Sequence, residues 1–490
     1  MKKILIILFF ALGAVVQGQT FSTLLHDKTK VFNVKDYRAT GDGVTDDTDE
    51  IQACINAAGD GTIFFPAGNY LVDSLLITKS PTLIGVGRDW ATASSCSRLV
   101  SKTALPIITI DYHIGGGAGY ATGAIIRNLY IKGDNHADNG VHKQTGICVN
   151  GEASVTLDGV YIANCGDYAV RILTTYDTDL VTVDNCRLED NTRGGIYAKR
   201  TGTLQLNAIR ITNNNIISNN GFGINVLGNN VIIEKNIIQG NDSAGVYMSA
   251  RDLGNVNATS YNTVINNNYF EQNKGGNIVM KAYWQSGAMQ YHYYTTISNN
   301  YMYLSDATAN ADVTASVIFK LASGSAAVKG IRYMVFSNNY IEVDGTLYMV
   351  DGQSRLDNTC NFHVTDVEQT AANTYNGITG AAIYGRKTAR PFVSTGTVVA
   401  GTGITEAMLA DNMYFNTASA IDISANPQIV DGFDGQEITI TGSSDTNTLT
   451  LDDGNGLSLS GQWVGGIGDT ITLVYNPTLD LWVEKGRSNN

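Results

Sequence analysis

Apolar and polar residues alternate in short triplets along much of this chain, and a polar turn separates one triplet from the next. Clear copies are Asn213-Asn214-Asn215-Ile216-Ile217, Glu234-Lys235-Asn236-Ile237-Ile238, Asn266-Asn267-Asn268-Tyr269-Phe270, Ser298-Asn299-Asn300-Tyr301-Met302 and Ser337-Asn338-Asn339-Tyr340-Ile341. Weaker copies centre on Leu129, Val160 and Cys186. Taking Leu129, Val160, Cys186, Asn215, Asn236, Asn268, Asn300 and Asn339 as equivalent gives intervals of roughly 21 to 39 residues. A period of two within each copy, with no helical stripe, predicts short strands stacked coil upon coil.

A second register aligns Gly146-Ile147-Cys148-Val149, Ala169-Val170-Arg171-Ile172, Gly195-Ile196-Tyr197-Ala198, Gly223-Ile224-Asn225-Val226, Gly245-Val246-Tyr247-Met248 and Asn277-Ile278-Val279-Met280. Strand side chains alternate between faces, so Ile147, Val170, Ile196, Ile224, Val246, Met248, Ile278 and Met280 point inward. The recurrent asparagines are expected to stack in a turn, each amide bonding its neighbour one coil away. A third strand column is expected in the longer stretches. These features predict an all-β chain built as a right-handed parallel β-helix of about eight coils over residues 60–390. The 52 glycines, 6 prolines and 16% charged residues agree with a turn-rich solenoid.

Ahead of the coils stands Gly41-Asp42-Gly43-Val44-Thr45-Asp46-Asp47-Thr48, followed by Glu50-Ile51-Gln52-Ala53-Cys54-Ile55 and Gly61-Thr62-Ile63-Phe64-Phe65-Pro66-Ala67-Gly68-Asn69-Tyr70. This run resembles the amino-terminal segment of the pectate-lyase-like superfamily, whose members include secreted polysaccharide lyases, hydrolases and phage tailspikes. The resemblance is close over the motif and extends by repeat style over residues 31–350. It implies that residues 19–59 cap the first coil. The residues read the same way: Asp47 and Glu50 suit the start of a short helix with Ile51 and Ile55 on one face, covering the apolar end of the solenoid. The cluster Asp42, Asp46 and Asp47 also admits a Ca2+ site or a carboxylate pair; turn and capping chemistry is the favoured reading. The Gly-His-Gly tripeptide of the polygalacturonase branch is missing, and so is the Asp-His pair of some pectate lyases, which leaves substrate and catalytic residues open.

The outward positions of the second register form one row, Cys148, Arg171, Tyr197, Asn225, Tyr247 and Val279. Two residues on lies another, Asn150, Leu173, Lys199, Leu227, Ser249 and Lys281. Arg171, Tyr197, Lys199, Tyr247 and Lys281 are therefore expected on one face. Long connections follow these strands. One holds Arg251, another Tyr283, Trp284, Tyr291, His292, Tyr293 and Tyr294, and such loops commonly build sites. A basic, aromatic groove suits an anionic polysaccharide. β-Elimination from a uronate needs a cation at the carboxylate and a base for the adjacent proton. Tyr247, Lys281, His292 and Arg171 are the catalytic candidates; Tyr197, Lys199, Arg251, Tyr283 and Trp284 are the substrate-binding ones. Outward Tyr and Lys also simply cover sheets.

Another outward row runs Tyr130, Tyr161, Arg187, Ile216, Ile237, Tyr269, Tyr301 and Tyr340, with Glu189, Glu271 and Glu342 two places on. It reads either as a tyrosine stack between coils or, with Asp184, Glu189 and Asp190, as the carboxylates of a glycosidase. His136 and His142, with Asp134 and Asp138, form a loose metal-like constellation, and the reading assigns no metal site.

Lys2 and Lys3 precede the apolar run Ile4–Val16, which reads as a secretory signal peptide over residues 1–18 and predicts an exported protein. The six cysteines show no metal spacing and are expected as buried thiols. A net charge of −13 argues against nucleic acid and anionic membrane as partners. Residues 391–490, with Asp-Gly and Asn-Pro turns between short alternating strands, predict a small β-sandwich or jelly-roll module. That module resembles carboxy-terminal modules of phage fibres, which implies trimerisation or receptor binding. A helix-like piece is expected over Thr405–Leu409. The functional expectation is a secreted lyase on an acidic polysaccharide; a hydrolase and a non-catalytic glycan-binding adhesin are the alternatives.

Overall fold

The computed structural model describes residues 30–489 except 89–94, 113–120, 135–143, 151–152, 174–176, 200–204, 250–258, 286–287, 312, 322–329, 345–346, 352–359, 364–374, 377–381, 385–391, 395–397, 399, 405–411, 416–418 and 433–434. The signal-peptide reading and the expected helix at Thr405–Leu409 lie outside these residues.

Three sheets of parallel strands make the body of the molecule, each strand pairing with its equivalents in the preceding and following coils. The chain visits the sheets in a fixed order. Ala153–Asp158 lies in the first sheet, Tyr161–Ala163 in the second and Tyr168–Leu173 in the third, and Val181–Asp184 returns to the first. This is the predicted β-helix. The second sheet carries 11 strands, more than the asparagine repeat counts, because the amino-terminal coils keep the strand alternation without the asparagine.

The inward residues of the third sheet, among them Ile147, Val170, Ile196, Ile224, Val246, Met248 and Met280, are all fully buried in one continuous core. Each coil adds its own apolar area to that core, which stabilises by roughly 25 cal/mol for every Å² removed from water.

The turn from first to second sheet is tight because one residue in it takes a left-handed backbone. Asn128, Asn185, Asn213, Lys235, Asn267, Asn299 and Asn338 have φ between 51° and 57°. Asparagine tolerates that conformation better than most residues. The next residue points inward and forms a ladder. Asn214 Nδ2 donates to Asn236 Oδ1 (3.0 Å), Asn236 to Asn268 (2.9 Å), Asn268 to Asn300 (3.0 Å) and Asn300 to Asn339 (2.9 Å). Each amide also donates to a strand carbonyl, as Asn268 does to Ile233 O at 2.9 Å. The ladder residue at its start is Asn214, not Asn215, since Asn213 takes the left-handed position. Asn215 instead faces outward in the second sheet, opposite Arg187 and Ile237, and Ile216 is buried.

A second ladder, which the repeat did not reveal, lines the turn from second to third sheet. It runs Asn191, Asn219, Asn241 and Asn273, with links of 2.8–2.9 Å, and ends on Asn277.

The helix Thr48–Ala58 buries Ile51, Cys54, Ile55 and Ala58 on the core, so the amino-terminal segment is a cap. The capping chemistry differs from expectation. The Asp47 side chain makes no hydrogen bond to the helix; it is fully buried and accepts from Thr40 N, Thr40 Oγ1 and Gly41 N, tying down the preceding loop. Asp46 meets the helix start, accepting from Thr48 N at 3.1 Å and from Lys102 at 2.7 Å. Asp42 accepts from Val44 N and Thr45 N. The carboxylates are thus engaged in turn chemistry. All six cysteines are buried free thiols.

The carboxy-terminal part has its own core around Trp463 and Trp482, between a six-stranded and a three-stranded sheet. It opens with parallel pairs, as between Asn412–Phe415 and Glu437–Gly442, and closes with antiparallel ones, as between Thr470–Asn476 and Leu481–Ser488. This is the predicted small β module.

Two outcomes are expected. Asn268→Ala strips partners from the buried Asn236 amide, Ile233 carbonyl and Asn300 side chain, so urea unfolding should show a loss of about 3 kcal/mol or more. Asp47→Ala should cost about 2 kcal/mol and Asp46→Ala, at the half-exposed pair with Lys102, clearly less.

Candidate functional site

Register fixes what the outer face of the third sheet displays. Cys148, Arg171, Tyr197, Asn225, Tyr247 and Val279 are successive partners, and so are Asn150, Leu173, Lys199 and Leu227, with Ser249 opposite Lys281. Both outward rows are as predicted. Rungs are spaced by about 4.8 Å, so residues distant in sequence become neighbours.

Aromatic rings and cations interleave on this face. The Arg171 guanidinium lies 5.4 Å from the Tyr197 ring centre. Lys199 and Lys281 lie 5.4 and 5.2 Å from the Tyr247 ring, one on each side in the register. Tyr168 packs on Tyr197 at 5.2 Å and Phe222 on Tyr247 at 4.6 Å, so both outward rings are buttressed by a neighbouring ring. Further along, Val279, Ala244, Ala315 and Ile318 cover the face with apolar surface. The sheet therefore presents a charged, aromatic stretch bounded by an apolar one.

Two residues that the sequence reading missed belong to this face. Lys320 pairs with Lys281 in register and extends the cationic row; its strand, Ala315–Leu321, lacks the leading glycine that four of the six aligned copies carry. Asp167 is fully buried and holds Arg171 Nη1 at 3.0 Å, with Arg193 at 3.6 Å and the Thr145 hydroxyl at 3.1 Å. It fixes the direction of the Arg171 guanidinium, and nothing in the repeat singles it out.

His292 is not on this face. Tyr291–Tyr294 were expected in a loop, but His292–Ser298 is a strand of the first sheet and His292 points into the core, fully buried. Its Nε2–H donates to Lys281 O at 3.1 Å, which leaves Nδ1 to accept from the Ser260 hydroxyl at 2.7 Å. Burial pushes its pKa down to about 4. A neutral, enclosed imidazole bonded on both nitrogens is a structural tie, not a general base. Tyr283 and Trp284 lie on the strand Ile278–Gln285 and pair with Gln290 and Met289 in a hairpin. Arg251, His136, Asp138 and His142 lie outside the described residues.

The outer face of the second sheet carries the tyrosine row. Tyr269, Tyr301 and Tyr340 stack at 5.1 and 5.2 Å with planes within 7°. Their hydroxyls engage acids, Tyr269 with Glu271 and Tyr301 with Glu342. Glu189 is held by Arg187 and the Tyr161 hydroxyl at 2.6 and 2.8 Å. Among the described residues no cluster of three metal-ligating side chains occurs.

A family model described as right handed beta helix region matches residues 112–229 and 145–283. Mannuronan C5-epimerase AlgE5 of Azotobacter vinelandii is 29% identical over 246 residues, 44% of this chain and 22% of that protein. Alginate lyase 7 of the same organism is 49% identical over 67 residues, 11% of this chain and 8% of that protein. The A-module of mannuronan C-5 epimerase AlgE4, also of Azotobacter vinelandii, aligns with 73% of this chain and 98% of its own at a TM-score of 0.44 and 18% identity. The chain spans only about a fifth of AlgE5 and less of the lyase.

The burial of His292 has a measurable consequence. Its pKa falls from 6.5 to about 4 on folding, so below 6.5 the unfolded chain binds a proton that the folded one refuses. Stability is therefore fully present above pH 6.5 and declines as pH falls towards 4. His292→Gln should flatten the dependence of the urea midpoint on pH across that window.

Proposed function

We propose that this chain, a right-handed parallel β-helix of the pectate-lyase-like superfamily, acts on an acidic polysaccharide at the outer face of its third sheet. The observation that carries this reading is Tyr247 with an ammonium group on either side, in the same column as an Arg171 three rungs away that buried Asp167 aims. A uronate unit brings a carboxylate and an acidic proton on the adjacent carbon, C5. Lys281, beside the Tyr247 ring, neutralises the carboxylate as negative charge develops on it, and Tyr247 takes the C5 proton. The electron pair released at C5 forms the double bond to C4 as the C4–oxygen bond breaks. The leaving oxygen then receives a proton, from Lys281 or from the tyrosine. Tyr197 offers an aromatic surface for a neighbouring sugar and Lys199 a partner for its carboxylate. The product is an unsaturated uronide, and the reaction class is lyase. The expected export signal at residues 1–18 fits a polymer substrate outside the cell.

A second reading shares the first step. If the C5 proton is replaced from the opposite face before the C4–oxygen bond breaks, the outcome is epimerisation, and the match to a mannuronan C5-epimerase favours it.

Incubation with alginate and polygalacturonate in heavy water separates the two. Lyase action gives ultraviolet-absorbing unsaturated ends; epimerisation gives deuterium at C5 in uncut chains. Tyr247→Phe should lower turnover by about a hundredfold or more with little change in KM, whereas Lys281→Ala and added salt should weaken binding as well. Full turnover in Tyr247→Phe would place the chemistry elsewhere.

A further inference from the structure

On the second sheet, three coils before the tyrosine row begins, the register stacks Arg98, Tyr130, Tyr161 and Arg187 in one column. Arg98 lies 4.7 Å from the Tyr130 ring, the two tyrosines stack at 4.4 Å and 9°, and Arg187 caps Tyr161 at 5.4 Å. The next outward column reads Lys132, Ala163, Glu189. Alanine is the short step in it, and a hollow of about 380 Å³ opens between the long neighbours, lined also by Asn164 and Asp190. A second hollow of about 510 Å³ shares Tyr161 and Arg187 with it, on the side of the preceding turn.

Most of the charge here is already used. Arg187 and the Tyr161 hydroxyl are bound to Glu189. Lys132 and Asp190 are not: both line the hollow, and neither has a hydrogen bond or ion pair with a described residue. Asp190 is set in the left-handed turn that ends its strand, at φ 55°, which projects it beside Glu189. Burial and the Glu189 carboxylate both raise its pKa, partly offset by the charge of Arg187.

We infer that this hollow is a second, non-catalytic binding site, and that it takes a monoanionic sugar acid. Lys132 and Arg98 receive the carboxylate, while Asp190 and Asn164 hold hydroxyl groups. A neutral sugar would leave Lys132 without a counter-charge. A phosphate or sulfate would set two negative charges against Glu189 and Asp190. A sugar acid satisfies both ends. On a chain of net charge −13 such a local concentration of cations is selective for an anion that also offers donors. The site holds one stretch of polymer while another occupies the third sheet, raising the effective concentration at that face. The ligand class follows from the residues of this hollow, and only the tethering role rests on the function proposed above.

Isothermal titration of the full chain with a triuronate, and with the same trisaccharide reduced at its carboxylates, tests it. In the Lys281→Ala background, where the third-sheet face is weakened, triuronate should still bind. Adding Lys132→Ala should weaken that remaining binding about tenfold, the scale of one charge-assisted contact. The isosteric Asp190→Asn should weaken it too, and the reduced sugar should bind as poorly as the charge variant. Binding abolished by Lys281→Ala alone overturns this site and leaves the third-sheet reading standing. Binding indifferent to both Lys132→Ala and Asp190→Asn, or equal affinity for the reduced sugar, also overturns it. Binding indifferent to Lys281→Ala but lost with Lys132→Ala keeps this site and sinks the other.

Discussion

The outward columns of the middle and later coils depend on stacking in strict register, and the buried asparagines enforce it. Parallel strands pair acceptably in more than one register, and apolar burial alone tolerates a slip of two residues because the faces are preserved. A slip of either kind breaks an asparagine ladder. Each amide in it has one acceptor and one donor directed along the stack, and each also meets a strand carbonyl. In a dry core, every lost partner costs about as much as a typical point mutation. The ladders therefore convert a soft, additive solenoid into one with defined rungs. They run through both tight turns of the coil, which clamps the second sheet from either side.

Once the rungs are fixed, side chains separated by twenty to forty residues become neighbours in columns, and chemistry is assembled down the columns. That is how Lys199 and Lys281, on strands three rungs apart, both reach the ring of Tyr247. The same logic builds the Arg98–Tyr130–Tyr161–Arg187 column on another face. The third connection of each coil, from third to first sheet, differs in length, one residue between Leu227 and Asn229 but ten between Ser249 and Ser260. Variation is concentrated there and in the outward columns, while the core stays uniform. A fold of this kind separates stability from surface chemistry: Asn268 and His292 serve the first, and the proposed function assigns Tyr247 and Lys281 to the second.

The parts legible in the sequence were those governed by short-range rules. Alternation gave the inward residues, and the Gly-apolar-x-apolar repeat gave the rungs of the third sheet, including Arg171, Tyr197 and Tyr247. The errors came where two readings fit equally well locally. Three consecutive asparagines at 213–215 concealed which one takes the left-handed turn, and the ladder was set one residue late. His292 followed a tyrosine-rich stretch without a clear apolar pattern, so the start of a strand passed for loop. Asp47 sits where an N-cap belongs, but its oxygens are drawn to the amides of Thr40 and Gly41. Asp167 and the hollow at Lys132 were hidden for another reason: both are products of contacts between coils, and the amino-terminal coils lack the asparagine that marks the rungs elsewhere.

The most direct test of the central claim is where an acidic oligosaccharide sits on the Tyr247→Phe protein, seen by crystallography of the complex. The account predicts a uronate carboxylate within hydrogen-bond reach of Lys281, with C5 facing the ring at position 247. A sugar lying instead along Tyr269, Tyr301 and Tyr340, with the third-sheet face empty, would contradict it.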